Sequence, residues 1–382
     1  MRSCLLWALL AAAAGFAGQF ATVRANYGGN WTGLFCHGDR FELPPSEEFK
    51  NVYRIKNSVG FDGEFYHIIA HDPMMMKGWA RYVEWPGLRY RRILLPALAN
   101  VFSFGAPALI APAYIVVNLI FLALGTWWTS RYAVLAGRHA AWGLVFLFFP
   151  ATLIALDRLT VDLVFLALFA GGLYYWRTGE WRKLLPVLTL LCLTRETGTL
   201  LVGVLVFCCL LRGWWGRAGM VAACTIPFFI WSAVVVARQP AVMQLWLPGN
   251  LFAWTWQSLW NNAPAHSVAL LAGLIRIVDA LSFTGFLVAV CLVLHLAWKR
   301  RWDAVLLAGA IFAGLGVYLL SLDRWTHIYD YGRVMSPMAL ALALYAITER
   351  RRVLLLPLAL MSAGALMYMG WQLVGIVRYW TA

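Results

Sequence analysis

The chain has 382 residues, 62% apolar and 13% charged, with a net charge of +14. Soluble globular proteins average about 25% charged and about 45–50% apolar residues. A soluble enzyme, a disordered chain and a disulfide-stapled secreted domain are thereby excluded, and a polytopic membrane protein is left. At about 20 residues per membrane helix, the length holds roughly ten spans and one sizeable loop.

The first apolar run, Leu5 to Ala21, follows Met1-Arg2. It is long for a signal peptide, so a retained helix is expected, although small residues near Ala25 would permit cleavage. A polar stretch then covers 24–92. Apolar segments follow at 105–126, 139–156, 159–176, 184–197, 198–211, 218–237, 272–298, 304–321, 335–348 and 353–377. With the first helix they give about eleven spans, the short pair at 184–211 being bent or partly inserted. The expected fold is all-α: a single integral membrane domain over 1–382, with 24–92 as a large first extracytoplasmic loop carrying amphipathic interfacial helices. No internal repeat or low-complexity linker divides it.

Charge sets the expected orientation. With the N-terminus in the cytoplasm, one face carries Arg2, Arg131, Arg138, Arg177, Arg182, Lys183, Arg212, Arg217, Lys299 to Arg301 and Arg350 to Arg352, against only Glu180, Asp303 and Glu349. Every short connection on that face is basic, as the positive-inside rule requires. The remaining acids lie on the opposite face, eight of them in 24–92. Charges beside hydrocarbon are costly and usually pair or line a functional cavity, so any chemistry is expected on that exterior face. The basic balance thus reads as membrane orientation, and nucleic acid is not an expected partner, for no basic face is interleaved with aromatics. Cys4, Cys192, Cys208, Cys209, Cys224 and Cys291 fall in apolar runs. Cys36 alone sits in the aqueous loop and cannot close an internal disulfide.

Four segments carry the chemistry. In Phe61-Asp62-Gly63-Glu64-Phe65-Tyr66-His67, Asp62-Gly63 reads as a helix start, with Phe65, Ile68 and Ile69 forming the apolar face of a short helix on the membrane surface that Pro73 ends. Asp62 either caps this helix or stands at its tip as a general base. In Arg89-Tyr90-Arg91-Arg92, three arginines either snorkel to lipid headgroups or form an anion site, since the guanidinium fork suits phosphate oxygens. In Thr194-Arg195-Glu196-Thr197, the two charges are either a self-neutralising pair or an arginine facing a lipid phosphate and held by Glu196. In Asp323 to Arg333, aromatics mixed with Asp330 and Arg333 suit sugar recognition, while an interfacial aromatic belt explains the rings equally well. His67 and His71, four apart beside Asp72, have a spacing that permits a divalent metal, without a third clear ligand. Asn30-Trp31-Thr32 is a formal glycosylation sequon. No Walker loop, dinucleotide fingerprint or nucleophile elbow is present.

The segment FDGEFYHIIAHDP, followed by RYRRILLP, resembles the membrane glycosyltransferases of the GT-C superfamily, more narrowly the bacterial mannosyltransferase-like members. The resemblance implies a polyprenyl-phosphate-linked sugar as donor, a lipid, glycan or protein acceptor, and an active site on the periplasmic face of a bacterial inner membrane. It implies Asp62 as general base with Glu64 as fallback. It also implies Arg91, Arg195 and Arg333 at the donor phosphate, with Glu196, Asp157, Arg158, Tyr66 and Asp330 supporting them. No metal is required, because the leaving phosphate is already a stable anion. One departure is that Asp62 lies some forty residues beyond the first helix, so 24–57 must fold back. The competing readings are a lipid or amphiphile transporter or flippase, which would show related halves and deep acids, and a non-catalytic envelope-assembly protein, in which Asp62, Arg195 and Arg333 would not converge.

Overall fold

The computed structural model describes residues 2–238, 269–300, 303–319 and 327–381. They are mostly helical, with almost no strand. Helix α1 (Arg2–Asn26) is followed by a folded segment holding α2 (Asp62–His71) and the single turn α3 (Pro86–Arg89), then by α4 (Leu94–Phe102), α5 (Pro107–Leu135), α6 (Pro150–Arg158), α7 (Asp162–Thr178), α8 (Trp181–Thr194), α9 (Gly198–Leu211), α10 (Trp215–Ala223) and α11 (Ile226–Arg238). After the undescribed stretch come α12 (Ala269–Lys299), α13 (Ala304–Leu319), α14 (Ile328–Thr348) and α15 (Leu356–Thr381).

Among the described residues, five stretches are long and apolar enough to cross a membrane: Arg2–Asn26, Pro107–Leu135, Trp215–Arg238, Gly273–Lys299 and Arg352–Thr381. A sixth is the bent pair Ala140–Phe148 and Pro150–Arg158, whose axes meet at 61°. The bend falls at Phe149, held extended by the proline that follows it. Among the described residues the helices of spanning length number five or six, so the expected count of about eleven is not confirmed. Helix α8 has 14 residues, interrupted by Pro186, and α9 has 14, the two separated by the charged break at Arg195-Glu196. Helix α14 is long enough but carries Asp330 and Arg333 in its first two turns.

Helices α7 and α14 form the centre. Both are apolar around their circumference and buried along nearly their whole length, as such helices must be. Helix α5 packs on α7 and α1, α6 and α13 pack on α14, and α12 and α1 pack on α15. The outer helices turn Leu5, Leu9, Ile120, Ile230, Leu274 and Leu373 outward, each about half exposed. An apolar outer surface on long helices is compatible with an integral membrane protein.

The segment between α1 and α4 packs against one end of this bundle. It is tied by a two-residue parallel bridge pairing His37 with Arg54 and Gly38 with Ile55. Helix α2 departs from the expected surface helix: Gly63 to His71 are all buried, because α4, α5 and the turn Trp31–Phe35 enclose it. Gly63 sits so close to α6 that a β-carbon there would lie 2.1 Å from the Arg158 carbonyl oxygen. Cys36, expected in water, is also buried, whereas Cys291 is exposed, and all seven cysteines are free.

Candidate functional site

The break at Phe61, extended at φ −147°, ψ 170°, takes the N-cap position of α2, which leaves Asp62 as its first helical residue. The Asp62 carboxylate makes no capping hydrogen bond. It faces two arginines instead: Oδ1 lies 3.0 Å from Arg89 Nη1 and Oδ2 2.5 Å from Arg333 Nη1. Arg333 Nη1 is also 3.5 Å from Asp162 Oδ2, and the other oxygen of Asp162 is ion-paired with Arg195. The result is a continuous chain of alternating charge, Arg89–Asp62–Arg333–Asp162–Arg195, drawn from α3, α2, α14, α7 and the break after α8. All five side chains are at most 17% exposed.

Local backbone chemistry explains the placement. Arg195 is extended (φ −154°, ψ 143°) where α8 stops, so its side chain leaves the helix and crosses to the start of α7. Arg89 is fixed by Glu84, its Nε donating to the Glu84 carbonyl at 2.8 Å and Nη2 to the carboxylate at 2.8 Å, with the guanidinium 4.3 Å over the Phe65 ring. Beside the chain, Arg92 grips Glu196 with two bonds of 2.9 and 2.6 Å and donates to Tyr66 Oη at 3.3 Å. Bidentate pairs of this kind are the strong, directional ones. The Nε–H groups of Arg195 and Arg333 are buried and have no acceptor among the described residues.

Burial opposes the charge on Asp62, but the adjacent Arg333 and Arg89 outweigh it and hold the carboxyl well below the usual carboxylate range. Glu64, two residues on, points elsewhere. Its Oε2 accepts the Gly38 N–H at 3.0 Å, and burial pushes its carboxyl up to about 8. Behind it runs a row of buried histidines. His37 Nδ1 is 3.9 Å from Glu64, His37 Nε2 and His67 Nδ1 share a hydrogen bond at 2.9 Å, and the His67 and His71 rings meet edge-on at 5.0 Å. Burial drives His37 down to about 3, His71 to about 4 and His67 well below its ordinary value. No group of three or more His, Cys, Asp or Glu among the described residues is arranged to hold a metal.

The remaining candidates divide. Asp157 and Arg158 pair with each other at 2.9 Å, Tyr329 Oη donates to Asp157 at 3.1 Å, and Arg158 Nη1 donates to Cys36 Sγ at 2.7 Å. This second cluster abuts the first where Phe61 and Tyr329 meet at 5.8 Å. Asp330 acts electrostatically on Arg333 and Asp62. Glu196 does not hold Arg195: Asp162 does that, and Glu196 serves Arg92. Arg91 is half-buried and takes no part in the ion pairs; its neighbours Arg89 and Arg92 do. Asp162, which joins Arg333 to Arg195, is not among the candidate site residues named from the sequence. Asp323, Arg324 and Trp325 lie outside the described residues.

No family of known proteins matches the chain, no curated protein matches it, and no solved structure matches it.

Proposed function

We propose that the protein is a polytopic membrane glycosyltransferase of the GT-C kind, with close to eleven membrane passages counting the short and broken helices, that moves a sugar from a polyprenyl-phosphate donor to an acceptor hydroxyl on its extracytoplasmic face. The observation that carries this reading is the convergence of Asp62 with Arg333 and, through Asp162, with Arg195 at the end of the bundle where the 24–92 segment docks. A carboxylate able to take a proton stands beside guanidinium groups able to take phosphate, and two of those groups keep a buried N–H unused.

The reaction is an inverting displacement. The acceptor oxygen attacks the anomeric carbon, the bond from that carbon to the phosphate oxygen breaks, and the electron pair leaves with polyprenyl phosphate. The hydroxyl proton goes to Asp62. Arg333 and Arg195 stabilise the charge that grows on the leaving phosphate, which is where preorganised donors are most effective. Asp62 is a weak base while Arg89 and Arg333 bind it. A donor phosphate competes for Arg333, and each N–H it withdraws raises the proton affinity of the carboxylate. Base strength is thus linked to donor occupancy, which protects the carrier from idle hydrolysis. The hydrocarbon tail lies among the outer helices, which is the reason for a polytopic catalyst, and the site needs no metal for an anionic leaving group. The N-terminus is cytoplasmic and the site periplasmic in a bacterial inner membrane.

The test is to incubate the purified full-length protein with a panel of radiolabelled polyprenyl-phosphate sugars and membrane-extract acceptors. Transfer of label from one donor, lost in the Arg333→Ala variant, is the expected result. Absence of turnover with every donor, together with movement of labelled lipid between leaflets of proteoliposomes, would replace this reading with a flippase.

A further inference from the structure

The end of the bundle away from Asp62 holds a second built feature. Helix α7 runs from Asp162, in the ion network, to Thr178, and the part of α14 beyond the network runs from Arg333 to Thr348. At 1.5 Å per residue both cover about 22–25 Å, close to the hydrocarbon thickness of a bilayer. Where they end there is a basin of about 520 Å³. Its arginines come from three helix ends, Arg177 from α7, Arg212 from α9 and Arg300 from α12, and its rings are Tyr132, Trp176 and Tyr345.

The charges there are not internally balanced. Arg177 donates to Thr348 Oγ1 at 3.1 Å and lies 4.6 Å over the Tyr132 ring. Arg212 lies 5.3 Å over Trp176 and 5.1 Å over Trp214. Among the described residues neither has a carboxylate in ion-pair range. Of the two acids at the rim, Asp303 is occupied in accepting the Val305 and Leu306 N–H groups at 2.9 and 3.0 Å, and Glu349 meets Arg300 only loosely at 3.5 Å. Rings hold the two free guanidinium groups in place without neutralising them. At this depth the anion present at high concentration is a lipid phosphate, and basic pockets between membrane helices on such a face are suited to anionic headgroups.

We infer that this basin binds the phosphate of an anionic phospholipid headgroup in the leaflet opposite the Asp62 site, with Arg177 and Arg212 as its principal ligands. The site is independent of the transfer reaction and stands whether or not that reaction is correct.

The experiment uses the full-length protein, monodisperse in neutral detergent, titrated separately with phosphatidylglycerol, phosphatidylcholine and inorganic phosphate. Native mass spectrometry reads retained lipid, and thermal unfolding reads stabilisation. Phosphatidylglycerol should be retained and should raise the midpoint, phosphatidylcholine should not, and Arg177→Gln combined with Arg212→Gln should weaken retention at least tenfold. Arg351→Gln combined with Arg352→Gln removes the same charge from the same end outside the basin and should leave retention unchanged. Equal loss in both double variants, or equal retention of both lipids, would overturn the site. Stabilisation by inorganic phosphate alone would overturn the lipid assignment.

Discussion

Arg333 and Asp62 stand 271 positions apart in the chain, and their side chains meet at 2.5 Å. Neither is fully buried, at 13% and 17% exposure, so each stays in reach of a ligand while the protein shields the bond between them. Asp62→Asn keeps the shape and removes the proton acceptor. Arg333 retains Asp162 and Arg89 retains Glu84, so the variant should fold and melt within a few degrees of the parent. Transfer of labelled sugar should fall by at least about 10²-fold, the usual contribution of a general base. Turnover near the parent rate would remove Asp62 from that role.

Asp162→Asn should behave in the opposite way. Asp162 is nearly inaccessible and is the only carboxylate that Arg195 meets among the described residues. Removing one partner of a buried pair leaves an uncompensated charge and costs about 3–5 kcal/mol. Denaturant or thermal unfolding in detergent should therefore rank Asp162→Asn well below Asp62→Asn. The reverse ranking would mean that Arg195 does not depend on this pair.

Gly63→Ala tests the seat of α2. The new methyl group would meet the Arg158 carbonyl, a backbone atom that cannot swing aside. Overpacking of this kind costs about 1–3 kcal/mol, and the helix carrying Asp62 must shift to relieve it. Both the melting midpoint and transfer should drop. A variant with parental midpoint and activity would show that α2 sits further from α6.

The buried histidine row and Glu64 give the stability a pH profile with a workable sign. Folded, His37, His67 and His71 stay neutral well below 6.5. Unfolded, each takes a proton near 6.5. The unfolded chain therefore gains protons as pH falls below about 6.5, and stability falls with it. Glu64 runs the other way. Its carboxyl holds a proton up to about 8 when folded and only to 4.5 when unfolded, so its contribution declines as pH rises between those values. Each unbalanced proton changes stability by about 1.4 kcal/mol per pH unit. Melting midpoints should peak near pH 6.5, and Glu64→Gln should flatten the alkaline side and steepen the acid side above about 4.5, where Glu64 opposes the histidines. Identical alkaline slopes in parent and variant would contradict this account.

Much of the architecture was legible because it depends on composition. Runs of apolar residues too long for a soluble core became helices close to where hydropathy put them, and α2 ends at His71, just before Pro73. The count of spans was not legible, since nothing in the hydropathy of 139–156 distinguishes a straight helix from one bent at Phe149. Of the site, the arginine-rich segment after α2 and the charged break at 194–197 stood out as charge in apolar surroundings. Their pairing did not. Which carboxylate meets which guanidinium is set by how α7, α14 and α2 pack, so Glu196 looked like the partner of its neighbour Arg195 and turned out to serve Arg92. The burial of α2 was hidden for the same reason: Phe65, Ile68 and Ile69 suggest one apolar face, and only the enclosing helices explain why His67 and His71 are covered as well.

The ion network also constrains biosynthesis. Asp62 and Asp162 leave the ribosome long before Arg333, and until that arginine arrives they lack the cation that joins them. Arg195 is in place by then and can quiet Asp162, but the link to Asp62 closes only when α14 docks. A nascent chain that stops short of α14 therefore leaves Asp62 and Asp162 unjoined at the bundle end.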